Sequence, residues 1–437
     1  MQAAMFLTFL INMEMYGGVG RFFYERDSVK KTMKLVSTGF WLTIGMGFAT
    51  LVVTLMLKNT LYSLFFQNSD YKVAFIMALT WSPISAVYTY LLVVMRFEKK
   101  PKLYFTLVNI QLALRIMASV LFVAFLKMGV SGVVLGHVIA EFSAIVMFGV
   151  VLRKYIGAIF SFPDAKDILS FSLPLVPAVL IIGFQKPLIR YLVANLLSID
   201  DMGLFAIAFQ MAAVLSFVQF GLQMSWYPHL YELITKPDYE KEVRSIYRFF
   251  LGILAVIGLL IILNGRLMLH VLTTPGFYAA SSIIGFTVIN NFLDIIRQIS
   301  GCGTVIVKKT KYNTYYEFVA SAITISLFVL FHSFLGITGL ALSFALGSLV
   351  KFLWSWQLTK RFTSISFSMM PTYLLVSIML VTSIVFAIWE VHLYISIVLS
   401  LLLISFYTIM QRDKLYHLKS IMVNKLYCIR GADYRAK

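Results

Sequence analysis

With 437 residues, 60% hydrophobic and only 13% charged, the chain is too apolar for a soluble domain, where about a quarter of residues carry charge. A mean hydropathy of +0.87 makes it a polytopic membrane protein. A net charge of +18 would suggest nucleic acid in a soluble chain, but the basic residues here fall in short loops between apolar runs, so no nucleic-acid partner is expected.

Runs of about 20 apolar residues mark spans. They fall at 3–24, 36–57, 73–95, 103–126, 130–152, 171–193, 203–224, 249–272, 279–300, 316–334, 336–356, 371–388 and 393–410, thirteen in all. The first run contains Glu14 and lacks both a charged start and a small-x-small cleavage site, so it reads as a membrane helix and not a signal peptide. Cys302 and Cys428 lie far apart, and neither a disulfide nor a metal site is expected.

Alternate loops carry the basic residues: Arg26 to Lys34, Arg96 to Lys102, Arg153 to Lys166, Lys236 to Arg248, Lys308 to Lys311, Lys360-Arg361, and the tail from Arg412 to Lys437. The opposite loops hold only Lys58, Lys72, Lys127 and Arg266. By the positive-inside rule the C-terminal tail is cytoplasmic and the first span begins outside.

Shifted by 207 residues, the chain partly matches itself. Met128-Gly129-Val130-Ser131-Gly132-Val133 falls on Leu335-Gly336-Ile337-Thr338-Gly339-Leu340, and Arg153-Lys154 on Lys360-Arg361. With a drift of two, Lys99-Lys100-Pro101-Lys102 meets Lys308-Lys309-Thr310-Lys311. The copies keep one orientation, so this is a parallel repeat about an axis along the membrane normal. Such pairs hold a substrate between two bundles and work by rocking. The second copy opens with the span at 171–193, whose counterpart would precede residue 1, so the first copy is expected to be one helix short.

The fold expected is therefore all-α. Residues 1–154 form an N-terminal bundle, 155–170 a cytoplasmic linker, 171–361 a second bundle, 371–410 two further helices, and 411–437 a basic tail.

Charges inside spans are the candidate site. A cation at mid-membrane costs about 2.5–3.5 kcal/mol on insertion scales, so it usually faces a cavity or a partner. Lys186 and Arg190 share one face of the 171–193 span, which Pro174, Pro177 and Pro187 punctuate. Arg115 and Glu141 are central in neighbouring helices, with His137 one turn before Glu141; they form either a structural pair or part of a cavity. Glu14 and Arg21 are seven apart on one face, and Asp294 can pair with Arg297. Arg21, Arg297 and Lys351 are expected to snorkel to the headgroups. An interior with surplus positive charge suits an anionic cargo such as a phosphate-bearing lipid, and Glu141, Asp294 or Glu14 could carry a coupling proton or sodium ion. No nucleotide-binding loop or HExxH is present, and no cofactor is expected.

Several stretches resemble the polysaccharide transporter family, the O-antigen and capsule flippases of the multidrug/oligosaccharidyl-lipid/polysaccharide exporter superfamily. They are Phe171-Ser172-Leu173-Pro174-Leu175-Val176-Pro177, Asp201-Met202-Gly203-Leu204-Phe205-Ala206-Ile207-Ala208, Trp226-Tyr227-Pro228, and Gly20-Arg21-Phe22-Phe23-Tyr24-Glu25. Gln185-Lys186 stands where the family often has Asp-Arg. The resemblance implies two six-helix bundles plus two helices in a bacterial cytoplasmic membrane. It also implies flipping of undecaprenyl-diphosphate-linked oligosaccharide among membrane lipids, alongside polysaccharide polymerase or assembly machinery. Lys186, Arg190 and Arg115, then Arg21, are the residues expected to meet the diphosphate. Rival readings are a multidrug antiporter, which would want an acidic cavity, and a peptidoglycan-precursor flippase. A polymerase or ligase needs a large external loop with catalytic groups, and none is seen, so enzymatic activity is not expected.

Overall fold

The computed structural model describes residues 2–65, 72–388 and 393–410. Every element among them is helical, as apolar runs must be where no water is present to satisfy backbone groups. The first bundle holds α1 (Gln2–Asn12), α2 (Met15–Phe23), α3 (Val29–Met56), α4 (Lys58–Phe65), α5 (Lys72–Phe97), α6 (Pro101–Val120) with a π-helical turn Leu121–Phe125, and α7 (Gly129–Val151). The linking helix α8 (Phe162–Ser172) packs on α2 and α3 and leads through a 3-10 turn Leu173–Leu175 into the second bundle, which holds α9 (Val176–Leu196), α10 (Ile199–Ala212), α11 (Val214–Leu233), α12 (Tyr239–Leu272), α13 (Ser281–Ser300), the short α14 (Gly303–Ile306) and α15 (Lys311–Phe362). α16 (Met370–Ile388) and α17 (Leu393–Met410) follow.

Each expected span falls on helix. Among the described residues, eight continuous helical stretches are long and apolar enough to cross a membrane, α8 with α9 and α13 with α14 each counting as one, or nine if α10 and α11, bent by 50° at Ala213, also count as one. Sequence-local signals set the helix starts. Ser28 and Ser161 accept from the backbone N–H three residues on, and Ser198 with Asp201 forms a capping box.

The duplication is written into the backbone. α15 merges two helices across Gly336 (φ 51°), and α7 starts at Gly129 (φ 55°), its partner in the repeat. Lys99 (φ 55°) and Lys308 (φ 59°), matched with the drift of two, share the left-handed conformation that side chains rarely adopt. A Cβ at Gly132 would lie 2.9 Å from that of Phe122, and one at Gly339 2.8 Å from that of Phe331, so both hairpins close on the same glycine.

Two cores result. One gathers Met15, Val19, Leu35, Tyr90, Met95 and Phe148; the other gathers Trp226, Tyr247, Leu254, Phe292 and Phe352 around α13, which is buried on nearly every side. Trp226 of the Trp-Tyr-Pro stretch is buried and donates from Nε1 to the Gln298 carbonyl at 3.0 Å, fixing α11 to α13. Of the three prolines expected to punctuate the 171–193 span, Pro174 and Pro177 mark the start of α9, and Pro187 falls within it. Pro174 lies in the 3-10 turn that joins α8 to α9, and its carbonyl accepts from Thr314 Oγ1.

Candidate functional site

The bundles are tied together at the end that carries the basic loops. Arg21, in the last turn of α2, donates from Nε to the Val305 carbonyl at 3.1 Å and from Nη2 to the Ile306 carbonyl at 2.8 Å. Its Nη1 pairs with Glu25 at 2.6 Å, and Glu25 in turn binds Lys308 at 2.8 Å. Lys99 pairs with Glu232, and Phe97 stacks on Tyr231. Arg26 bridges to Asp164 and Asp167 of α8 at 2.6 and 3.0 Å. Among the described residues, the ion pairs that join the two bundles, Lys99–Glu232 and Glu25–Lys308, both lie at this end. Further along, α1 meets α9 through Phe6 and Phe184, with ring centroids 5.5 Å apart.

Burial raises the Glu25 carboxyl, but the hydrogen bond from Lys308, the Arg21 charge and the hydrogen bond from Arg21 outweigh it and hold the group below the usual carboxylate range. Glu98, held by Tyr155, Lys154 and Lys100, is likewise lowered against its burial.

The expectation that Arg21 snorkels does not hold: its side chain is 4% exposed, because two carbonyls and a carboxylate complete its fork. Nor does it face Glu14 along a helix. Met13 and Glu14 are left-handed (φ 42° and 56°), so α1 and α2 are separate helices and the seven-residue spacing does not put the two side chains on one face. Glu14 Oε1 instead accepts from Tyr16 at 2.8 Å, and the Glu14 carbonyl accepts from Ser172 Oγ at 2.9 Å.

The second bundle contains a four-membered network. Asp294 lies 3.6 Å from Arg297 and 3.5 Å from Lys351, and Glu317 lies 3.6 Å from Arg297 and 3.0 Å from Lys351. Arg297 also donates to the Tyr316 hydroxyl. Arg297 and Lys351 therefore do not reach for headgroups; a buried cation that finds two carboxylates stays with them. Sequence reasoning missed Glu317 because it stands at the edge of an apolar run. Its presence makes this interior neutral, with two cations against two anions, so the surplus of positive charge lies elsewhere.

Arg115 is half-buried on α6 and Arg190 is exposed on α9. Neither forms an ion pair among the described residues. Lys186 belongs to α9, but its side chain lies outside the described residues. Glu141 is buried and accepts from Trp81 Nε1 at 2.8 Å, not from Arg115, and His137 packs edge-on against the same Trp81. Cys302 is free and buried, and Cys428 lies outside the described residues.

Two tied helical halves related by a parallel repeat make up the fold, and solved MATE transporters share it. A Vibrio cholerae MATE transporter, VcmN, solved as a point mutant, has 13% identity and a TM-score of 0.69 over 82% of this chain and 85% of its own. An outward-facing multidrug resistance MATE transporter of the MOP superfamily has 13% identity and a TM-score of 0.70 over 83% and 86%. A MATE bound to MaL6 has 12% identity and a TM-score of 0.70, again over 83% and 86%. A family model described as polysaccharide biosynthesis protein matches residues 1–221. The chain belongs to that family. No curated protein matches it in sequence.

Proposed function

We propose that this chain moves a polyprenyl-diphosphate-linked oligosaccharide, the repeat unit of an O-antigen, capsule or exopolysaccharide, across the bacterial cytoplasmic membrane by alternating access. One observation carries the reading: a polysaccharide biosynthesis family built on an exporter fold. The basic loop end, with the tail, faces the cytoplasm. Ties gathered at that end make this the state closed to the cytoplasm. Arg115 and Arg190, left without counter-ions among the described residues, together with Lys186, supply the positive charge that a diphosphate needs. Export of this kind makes or breaks no bond, so no catalytic group is invoked.

A multidrug antiporter is the second reading, favoured by the structures that share the fold. A cationic drug needs uncompensated acid; in the second bundle Arg297 and Lys351 neutralise Asp294 and Glu317, which leaves Glu14 and Glu141 of the first bundle as the acids such a cargo could meet. Deletion of the gene separates the readings. A flippase deletion leaves complete repeat units on their lipid at the cytoplasmic face and none outside. Normal surface polysaccharide, with only drug sensitivity changed, would select the antiporter. Single units displayed outside would indicate a polymerase.

A further inference from the structure

A crevice of about 550 Å³ opens between α9 and the two arms of α15. Pro177 and Ile181 form one wall; Thr314, Tyr315 and Phe318 form a second, and Trp354 the third. Tyr315 and Phe318, 51% and 61% exposed, stand out along its length. The hydrogen bond from Thr314 to the Pro174 carbonyl fastens the two helices at its basic end.

That end is crowned with charge. Lys311 is the first residue of α15 and one turn, about 5.4 Å of rise, before Tyr315 on the same face. Arg361 lies seven residues, two turns, beyond Trp354. The two ends of α15 meet, since Tyr312 packs on Phe362 at 5.1 Å and Lys309 lies over the same ring at 4.7 Å. Lys309, Lys311, Lys360 and Arg361 are all exposed, and among the described residues none has a carboxylate partner, unlike Lys308 beside them, which holds Glu25. An apolar channel topped by four uncompensated cations matches an amphiphile with a long hydrocarbon tail and a multiply charged anionic head.

We propose that this crevice seats the isoprenoid tail of a polyprenyl diphosphate in the cytoplasmic leaflet, with the four cations meeting its phosphates. The inference rests on the flippase reading and adds where the lipid half of the substrate waits while the sugar half enters between the bundles.

Photo-crosslinking tests it. The full chain carrying p-benzoylphenylalanine in place of Phe318, or of the exposed Phe48 on α3 as reference, is placed in nanodiscs of phosphatidylglycerol with undecaprenyl diphosphate. The expected result is a severalfold excess of undecaprenyl adduct at position 318 over position 48, falling to the reference level in Lys311→Glu with Arg361→Glu and, in the unmutated chain, at high salt. Equal labelling at both positions overturns the proposal. So does a phosphatidylglycerol adduct at 318 that undecaprenyl diphosphate fails to displace, which would make the crevice an ordinary anionic lipid site. The deletion strain keeps the two claims apart. Intact surface polysaccharide there defeats the flippase reading whatever the labelling shows, whereas lost polysaccharide with unselective labelling defeats the crevice alone.

Discussion

Arg21 reaches two carbonyls of the other bundle with one planar fork. Lysine offers a point charge and no fork, so Arg21→Lys is expected to loosen the closed end nearly as much as Arg21→Ala. Hydrogen bonds to charged groups contribute about 1.5–3 kcal/mol each, and loss of the pair shifts the closed population at least about tenfold. Spin labels at Lys34 and Lys241, in a chain with both cysteines replaced by serine, would report this as growth of a longer-distance population. The Glu25 carboxyl adds a pH dependence. Its proton affinity is depressed in the closed state and rises toward the ordinary carboxylate value once Lys308 departs, while Arg21 of the same bundle stays beside it. Closure is therefore favoured fully above that value and is lost as pH falls through the depressed one. The same labels should open on acidification, and Glu25→Gln should flatten the response. At Glu317 a truncation strands Arg297 and Lys351 with one carboxylate between them. Breaking such a buried group costs about 3–5 kcal/mol. Glu317→Ala should lower the melting temperature in detergent, and adding Lys351→Met should restore much of it. Equal melting of the single and double variants would show that the network is not coupled.

At the scale of elements, the two hairpin corners make a matched pair. Nothing lies within 4 Å of a Cβ placed at Gly129 or Gly336, so the whole penalty for a side chain there is conformational. A left-handed residue other than glycine costs about 1–2 kcal/mol. Gly336 has ψ −128°, outside the left-handed helical region, so Gly336→Ala should destabilise by at least that amount and combine additively with Gly129→Ala, as distant sites do. A thermal unfolding series measures it, and an unchanged melting temperature in Gly336→Ala would argue against a strained corner. The breaks in α1–α2 and α10–α11 belong to the same scale. The chain breaks a helix at Met13-Glu14 in one bundle and at Ala213 in the other, and under the alternating-access proposal these are the places where compliance is expected.

For the whole molecule, the distribution of compensated and uncompensated charge decides what can drive transport. Asp294 and Glu317 already hold two cations, so little is left there for sodium. Export is expected to continue when sodium is replaced by potassium. Glu141 and Glu14, which accept from Trp81 and Tyr16 but pair with no cation among the described residues, are where a coupling proton would act. Glu141→Gln or Glu14→Gln should slow export in the same way as collapse of the proton gradient. Unchanged flux in both variants would remove proton coupling through these groups.

The apolar runs and the 207-residue echo made the helical class and the corner glycines legible, because each follows from local chemistry repeated along the chain. A span must satisfy its own backbone, and a corner must use a residue that tolerates positive φ. The partners of the in-span charges were not legible in the same way. Arg21 meets backbone carbonyls 284 and 285 residues away, and Lys351 meets Glu317 instead of a headgroup, because a cation's partner is set by which helices pack together. Only the tertiary structure chose among acceptors that the sequence offered equally, and only it opened the crevice beside α9, since an empty space belongs to no residue.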